Sequence, residues 1–243
     1  MFGYDEVFDG VRFAFTDRFG GASRPPYGEL NLGSPSGEGE EPIAENYRRI
    51  AAEFGVGPDG VVRVSQVHGR DVHVVGPDDE VPVRPMPQAD ALVTTRTDVA
   101  LCVRAADCLP VLLADQGNRV VGAAHCGRRG MYAGVVPATV AAMRELGAGR
   151  ITAVLGPYAC GKCYEVPAEM RAEVAERVPA SYAETTWGTP SIDVAAGVVA
   201  QLADLDCEVV DATSCTIESA NLYSYRREGA VSGRMAGLVR LQP

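Results

Sequence analysis

The amino-acid sequence predicts a mixed α/β (α+β) fold, a single domain over residues 1–243 with a central mixed sheet flanked by helices. Three observations carry that expectation. Residues 89–125 hold four apolar or β-branched runs in quick succession, and residues 132–205 alternate helical and strand patterns. A chain of 243 residues with 47% apolar content also buries a substantial core without disulfide or metal staples.

In chain order, the alternation of Val11, Phe13 and Phe15 predicts a strand, followed by an irregular segment through Gly20-Gly21 and Pro25-Pro26-Tyr27-Gly28. The polar, breaker-rich stretch 33–42 reads as an exposed loop. Apolar residues at 43, 44, 47, 50, 51 and 54 have helical period, and a strand is expected at about 61–66. Strands follow at Ala91–Thr95, Val99–Arg104, Pro110–Ala114 and Arg119–Ala124, with Gln116-Gly117-Asn118 closing a hairpin between the last two. Tyr132–Leu146 reads as a helix whose Pro137 is tolerable only in a first turn. Ile151–Leu155 is a strand, Pro167–Arg177 and Val194–Leu205 are helices, and Met235–Leu241 ends the chain as a strand.

Charge and cysteine usage narrow the function. With 22 Lys+Arg against 32 Asp+Glu the net charge is −10, a field that repels nucleic acid and anionic membrane surfaces. A small anionic or neutral substrate stays compatible with it where arginines cluster locally. Seven cysteines, an odd number, read as thiols, and the acidic start MFGYDEVFDG lacks the pattern of a secretory signal, so a cytoplasmic protein is expected.

Two of the three histidines stand where strands give way to loops: His68 in Gln66-Val67-His68-Gly69 and His125 in Ala124-His125-Cys126-Gly127. Cys108 lies between them, in Ala106-Asp107-Cys108-Leu109-Pro110. Together they make a His₂Cys set that leaves a fourth tetrahedral position open, as catalytic zinc requires. The same atoms also read as a thiol–imidazole pair, Cys108 with His125 and with Asp107 or Asp90 as orienter. The bland alternatives are a turn histidine and a buried thiol. His73 reads as an outward strand residue. The pair in Cys160-Gly161-Lys162-Cys163 sits in a loop, with no second such pair to complete a zinc knuckle and no helix at its first cysteine to support redox work. Arg18 beside Gly20-Gly21, and Arg226-Arg227 ahead of the glycine-flanked Ser232-Gly233-Arg234, are guanidinium forks near flexible backbone, the form that suits phosphate.

The blocks FTDRFGG (15–21), LNLG (30–33), QVHG (66–69), ADALVT (89–94), ADCLPVLLAD (106–115), AAHCGRRG (123–130), GPYACGKCYEV (156–166), YSYRREG (223–229) and SGRMAGLV (232–239) follow one another as in the laccase-domain, or YfiH-like, family, which this sequence resembles over nearly its whole length. That family is described variously as polyphenol oxidase, purine nucleoside phosphorylase and peptidoglycan-editing factor. The resemblance implies zinc, or copper as the alternative, held by His68, Cys108 and His125, which are also the catalytic positions. It implies splitting of adenosine, inosine and methylthioadenosine with phosphate, and adenosine deamination; a monomer or homodimer is expected. Arg18, Asn31, Arg226 and Arg227 are the expected phosphate- and substrate-binding residues. The chain departs from the family pattern at Arg128, usually Trp, which would set a cation beside His125, and at Cys126, usually Ala, which strand alternation sends to the face opposite His125. The rivals are a cysteine hydrolase of cell-wall precursors using Cys108 and His125, a copper-dependent phenol oxidase, and a non-enzymatic partner of cell-wall or division proteins.

Overall fold

The computed structural model describes residues 1–33 and 37–243; residues 34–36, inside the loop expected over 33–42, lie outside the described residues. In order, the elements are β1 (Phe2–Phe8), β2 (Val11–Thr16), α1 (Glu40–Phe54), β3 (Val61–Val62), β4 (Val72–Val75), β5 (Ala91–Thr94), β6 (Ala100–Ala105), β7 (Leu109–Asp115), β8 (Val120–Cys126), α2 (Arg128–Ala133), α3 (Val135–Glu145), β9 (Thr152–Leu155), α4 (Ala168–Arg177), β10 (Tyr182–Glu184), β11 (Pro190–Ile192), α5 (Val194–Ala203), β12 (Glu208–Asp211), α6 (Tyr225–Glu228) and β13 (Met235–Leu241).

The sheet expected in the middle of the domain is two mixed sheets packed face to face. One has the order β1-β2-β13-β6-β3 and the other β12-β9-β7-β8-β5-β4, with β10 and β11 a separate hairpin. Phe13, Phe15, Leu101, Val103 and Val239 of the first sheet meet Leu92, Leu112, Val121, Ala123 and Val154 of the second in one core layer. The outer face of the first sheet lies under α1, through Leu238 and Cys102 against Ile43, Tyr47, Ile50 and Phe54. The outer face of the second packs Val111, Leu113 and Leu155 against Met131, Val135, Val140, Met143, Val198 and Leu202 of the helices. Every residue of β7 and β8 is buried, which is why these strands read as continuous apolar runs rather than alternating ones.

The hairpin at 116–118 joins β7 and β8 in antiparallel register. The helix expected over 132–146 is broken at Gly134, whose φ of 86° ends α2 and starts α3, and Pro137 falls in the first turn of α3. β1 and β12 are largely exposed edge strands, their charged residues showing little of the pattern that marks a core strand. No helix among the described residues is long and apolar enough to cross a membrane.

Candidate functional site

Register brings the three donors together. β7 and β8 pair Leu109 with Cys126 and Pro110 with His125, so Cys108, one residue before β7, lies beside the end of β8 where His125 stands. His68 comes from the loop between β3 and β4, held in the left-handed region at φ 62°. One ligand atom from each of His68, Cys108 and His125 lies within 4.8 Å of the others, and the two imidazoles meet edge to face at 4.8 Å between centroids. Cys126 points the other way, into the core against the helices.

Gly127 makes the close approach possible. A Cβ there would stand 2.7 Å from Cys108 Sγ and 3.4 Å from His68 Cδ2. Its φ of −81° suits any residue, so the constraint is contact alone. Gly127→Ala is expected to push Cys108 out of the donor cluster and to cost about 1–3 kcal/mol. Thermal melting and alkylation of Cys108, measured on the same sample, check both effects.

Asp90, fully buried, organises the cluster. Its carboxylate accepts the backbone N–H groups of Val67 (3.2 Å), His68 (2.9 Å) and Gly69 (2.6 Å), and its Oδ1 lies 2.9 Å from His125 Nδ1. Nδ1 is thereby committed to Asp90, and Nε2 remains for the side of the thiol. Burial opposes ionisation of Cys108, yet the charge of His125 and hydrogen bonds from both imidazoles bring the thiol down to about 6. Burial likewise opposes the charge on His125, but the thiolate and Asp90 raise it to about 9. The pair therefore favours thiolate and imidazolium.

The cluster forms part of the wall of a cavity of about 520 Å³ that also carries Arg104, Arg226 and Arg234. Arg104 donates through Nη2 to Val64 O and through its backbone to Gln66 Oε1. Arg226 is anchored by its backbone N–H to Asp107 Oδ2 at 2.6 Å, and its guanidinium lies 4.9 Å over the ring of Tyr164. Asp107 also accepts from Thr216 Oγ1, so both of its oxygens are engaged in holding the wall. Asn31 lines the cavity, but its Oδ1 accepts from Gly33 and from the backbone of Arg234, and its Nδ2 donates to Glu38. It positions Arg234.

Two arginines expected at the substrate do not line this cavity, and neither does Arg128, the first residue of α2. Arg18 pairs with Glu228 at 2.9 Å and stacks on Tyr223. Arg227 donates to the carbonyls of Thr216, Ile217, Ser219 and Leu222 and pairs with Glu228. Arg227 spends its donors on the fold, and Arg18 commits Nη1 to it. Burial raises the pKa of Glu228, but Arg227 and Arg18 more than offset it and hold the carboxyl below its ordinary value. The stability from this cluster is present above the ordinary carboxylate pKa and is lost as pH falls through the lowered one. Arg18→Ala is thus expected to cost about 1–3 kcal/mol at neutral pH and to cost less once Glu228 is protonated. Melting temperatures at neutral and acid pH test it.

Arg104 escapes the motif reading, and Gln66 enters it only as the first residue of Gln66-Val67-His68-Gly69. The one available signal for Arg104 is a charged residue inside an otherwise apolar strand, Ala100–Ala105. Arg234, visible in the sequence only as part of a glycine-flanked segment, is brought to the cavity by β13, which it immediately precedes.

The chain matches the family model described as multi-copper polyphenol oxidoreductase laccase over residues 12–242. It is 52% identical over 244 residues to a Streptomyces coelicolor protein named purine nucleoside phosphorylase, covering 99% of this chain and 100% of that one. The Escherichia coli protein named purine nucleoside phosphorylase YfiH is 35% identical over 236 residues, covering 96% and 94%. Among solved structures, a Neisseria meningitidis protein superposes with a TM-score of 0.86 at 31% identity, covering 99% of both chains.

Proposed function

Because the chain belongs to the multi-copper polyphenol oxidoreductase laccase family, and relatives in it are named purine nucleoside phosphorylase, we propose that it is a zinc-dependent purine nucleoside phosphorylase that also deaminates adenosine. Its substrates are adenosine, inosine or methylthioadenosine with phosphate, and it works in the cytoplasm. The observation that carries the reading is the convergence of three metal-type donors with three arginines in one cavity.

The donor set fits the ion. A borderline cation takes thiolate and neutral imidazole; Asp90 leaves His125 Nε2 as the donor, and a bound cation would replace the imidazolium proton as the positive charge facing the Cys108 thiolate. His68, Cys108 and His125 would hold zinc and leave one position open. Copper is the alternative: copper sites of the His₂Cys type take a weak, long axial methionine, glutamine or backbone oxygen, and Gln66 but no methionine lines the cavity among the described residues. When bound, zinc would supply Lewis acidity beside the cavity.

The side chains of the chain do the rest. Arg234, Arg226 and Arg104 supply the positive field that a phosphate dianion needs in a protein of net charge −10. Tyr164 and Tyr225 hold the guanidiniums of Arg226 and Arg234 over their rings, at 4.9 and 5.7 Å, which limits their swing. Phosphate is thereby oriented for attack at the ribose C1′ while the purine leaves.

A second reading has its own support. Cys108, His125 and Asp90 also form a thiolate, an imidazolium and an orienting carboxylate, the arrangement of a nucleophilic cysteine. Purified protein assayed with inosine is expected to release hypoxanthine only with phosphate present and to yield ribose 1-phosphate. Rapid inactivation by iodoacetamide, with Cys108 alone labelled and zinc retained, would favour the hydrolase instead.

A further inference from the structure

Cys160, Cys163, Cys215 and Glu218 make a second group of ligand-type side chains, outside the site described above. The first two lie in the loop between β9 and α4, the other two in the loop that leaves β12. β9 and β12 pair in parallel, with Leu155 beside Asp211, so both loops emerge at the same end of the sheet. Backbone hydrogen bonds from Tyr158 N to Ser214 O and from Thr216 N to Tyr158 O then clip the loops together on either side of Cys215.

Within the first loop the chain turns tightly. Cys163 and Tyr164 both donate their N–H groups to Cys160 O at 2.9 Å, and the backbone of Lys162 bonds the Cys160 sulfur. That turn presents both thiols to one side, where Cys215 and Glu218 close the set. All four ligand atoms lie within 4.8 Å of one another, all three cysteines are free thiols, and Cys163 is buried with Sγ 3.5 Å from Glu218 Oε1. Three sulfurs and a carboxylate gathered around one point repel one another when ionised unless a cation sits among them. Burial and the neighbouring thiols accordingly push Cys163 well above its ordinary range.

We propose that Cys160, Cys163, Cys215 and Glu218 bind one tetrahedral divalent cation of the zinc type, in a structural site separate from that of His68, Cys108 and His125. Cys-x-x-Cys is a zinc-chelating spacing, and four protein ligands leave no position for substrate, which makes the site structural. A zinc–sulfur bond of about 2.3 Å gives a tetrahedron with edges of about 3.8 Å. The observed spread of 4.8 Å or less therefore closes by small side-chain rotations. Binding releases the three thiol protons to solvent.

The position gives the ion a task. Glu165, two residues after Cys163, accepts from Arg226 Nη1 through its carbonyl, and Thr216, next to Cys215, donates to Asp107. An ion here fastens the two loops that carry this wall of the cavity. Cys215 lies 52 positions beyond Cys163 (215 − 163), so the fold, not local spacing, completes the set.

The test is a metal count with cysteine mapping. Protein loaded with zinc under reducing conditions and freed of excess metal is expected to hold two equivalents. Cys160→Ser/Cys163→Ser should hold one, Cys108→Ala one, and the three changes together none. In the loaded wild type, Cys160, Cys163 and Cys215 should resist iodoacetamide and react after chelation, a measurement that stands even if the double variant fails to fold. One equivalent in the wild type, abolished by Cys108→Ala, would overturn the proposal. So would equal alkylation of the three thiols before and after chelation, or a disulfide among them in zinc-loaded protein.

Discussion

Alanine at His68, Cys108 or His125 is expected to remove one equivalent of zinc and to lower phosphorolysis by about a hundredfold or more. Two remaining donors compete poorly with water for the ion, so each ligand is needed for retention and not only for affinity. A Lewis acid contributes several kcal/mol to a developing charge, and each 1.36 kcal/mol is about tenfold in rate, which sets the scale of the loss. The three variants are not equivalent in stability. His125→Ala strips a partner from Asp90, which keeps its three backbone donors, whereas His68 is exposed and its removal leaves the Asp90 network whole. His68→Ala is thus the cleanest test: its melting temperature should change least while zinc and rate both fall. Elemental analysis beside initial rates decides it, and a Cys108→Ala protein that keeps both its zinc and its activity would remove Cys108 from the ligand set.

What the sequence shows of this site follows from where strands end. His68, Cys108 and His125 each stand at a junction between an apolar run and a turn, where a reactive side chain can be displayed, and that placement is readable without coordinates. The runs over 109–115 and 120–126 likewise read as strands. Their burial on both faces removes the alternation that would tell which side faces which layer, and so two packed sheets read as one. Gly134 divides a helix whose apolar period continues across the break. Arginines are the hardest to place, because a guanidinium beside glycines serves a protein carbonyl as well as a phosphate. Arg227 spends its donors on four backbone carbonyls, and Arg18, turned away from the cavity, commits Nη1 to Glu228 and Ala220 O and its face to Tyr223. Only the fold says whose donors stay free. The thiol pair in 160–163 has the same difficulty, since its companions arrive through the parallel pairing of β9 with β12.

Arg234 is the residue whose loss should most specifically damage the use of phosphate. Its backbone is fixed by Asn31 at 2.9 Å, and its Nη1 is turned onto the carbonyls of Ser232 and Gly233. Among the described residues, Nε and Nη2 meet no protein acceptor and no carboxylate pairs with the guanidinium. Burial first, and the positive charge of Arg104 after it, hold its pKa below the ordinary arginine value even though Cys108 and Asp107 act the other way. A cation kept in partial burial without a full counterion is relieved by an arriving anion, and phosphate supplies the two charges that Arg234 and Arg104 lack. Removing one charge-assisted hydrogen bond of roughly 1.5–3 kcal/mol predicts a loss of about ten- to a hundredfold in kcat/KM for phosphorolysis in Arg234→Ala. Arg234→Lys should fall between, because it keeps the charge and loses the fork. Arg226→Ala should follow Arg234→Ala with a smaller effect, its guanidinium being more exposed and therefore better screened. Adenosine deamination, which uses no phosphate, should suffer less in each variant. Saturation with phosphate separates the outcomes: recovery of the rate at high phosphate assigns Arg234 to the anion, whereas equal loss of both activities, with zinc and fold intact, would assign it to the nucleoside.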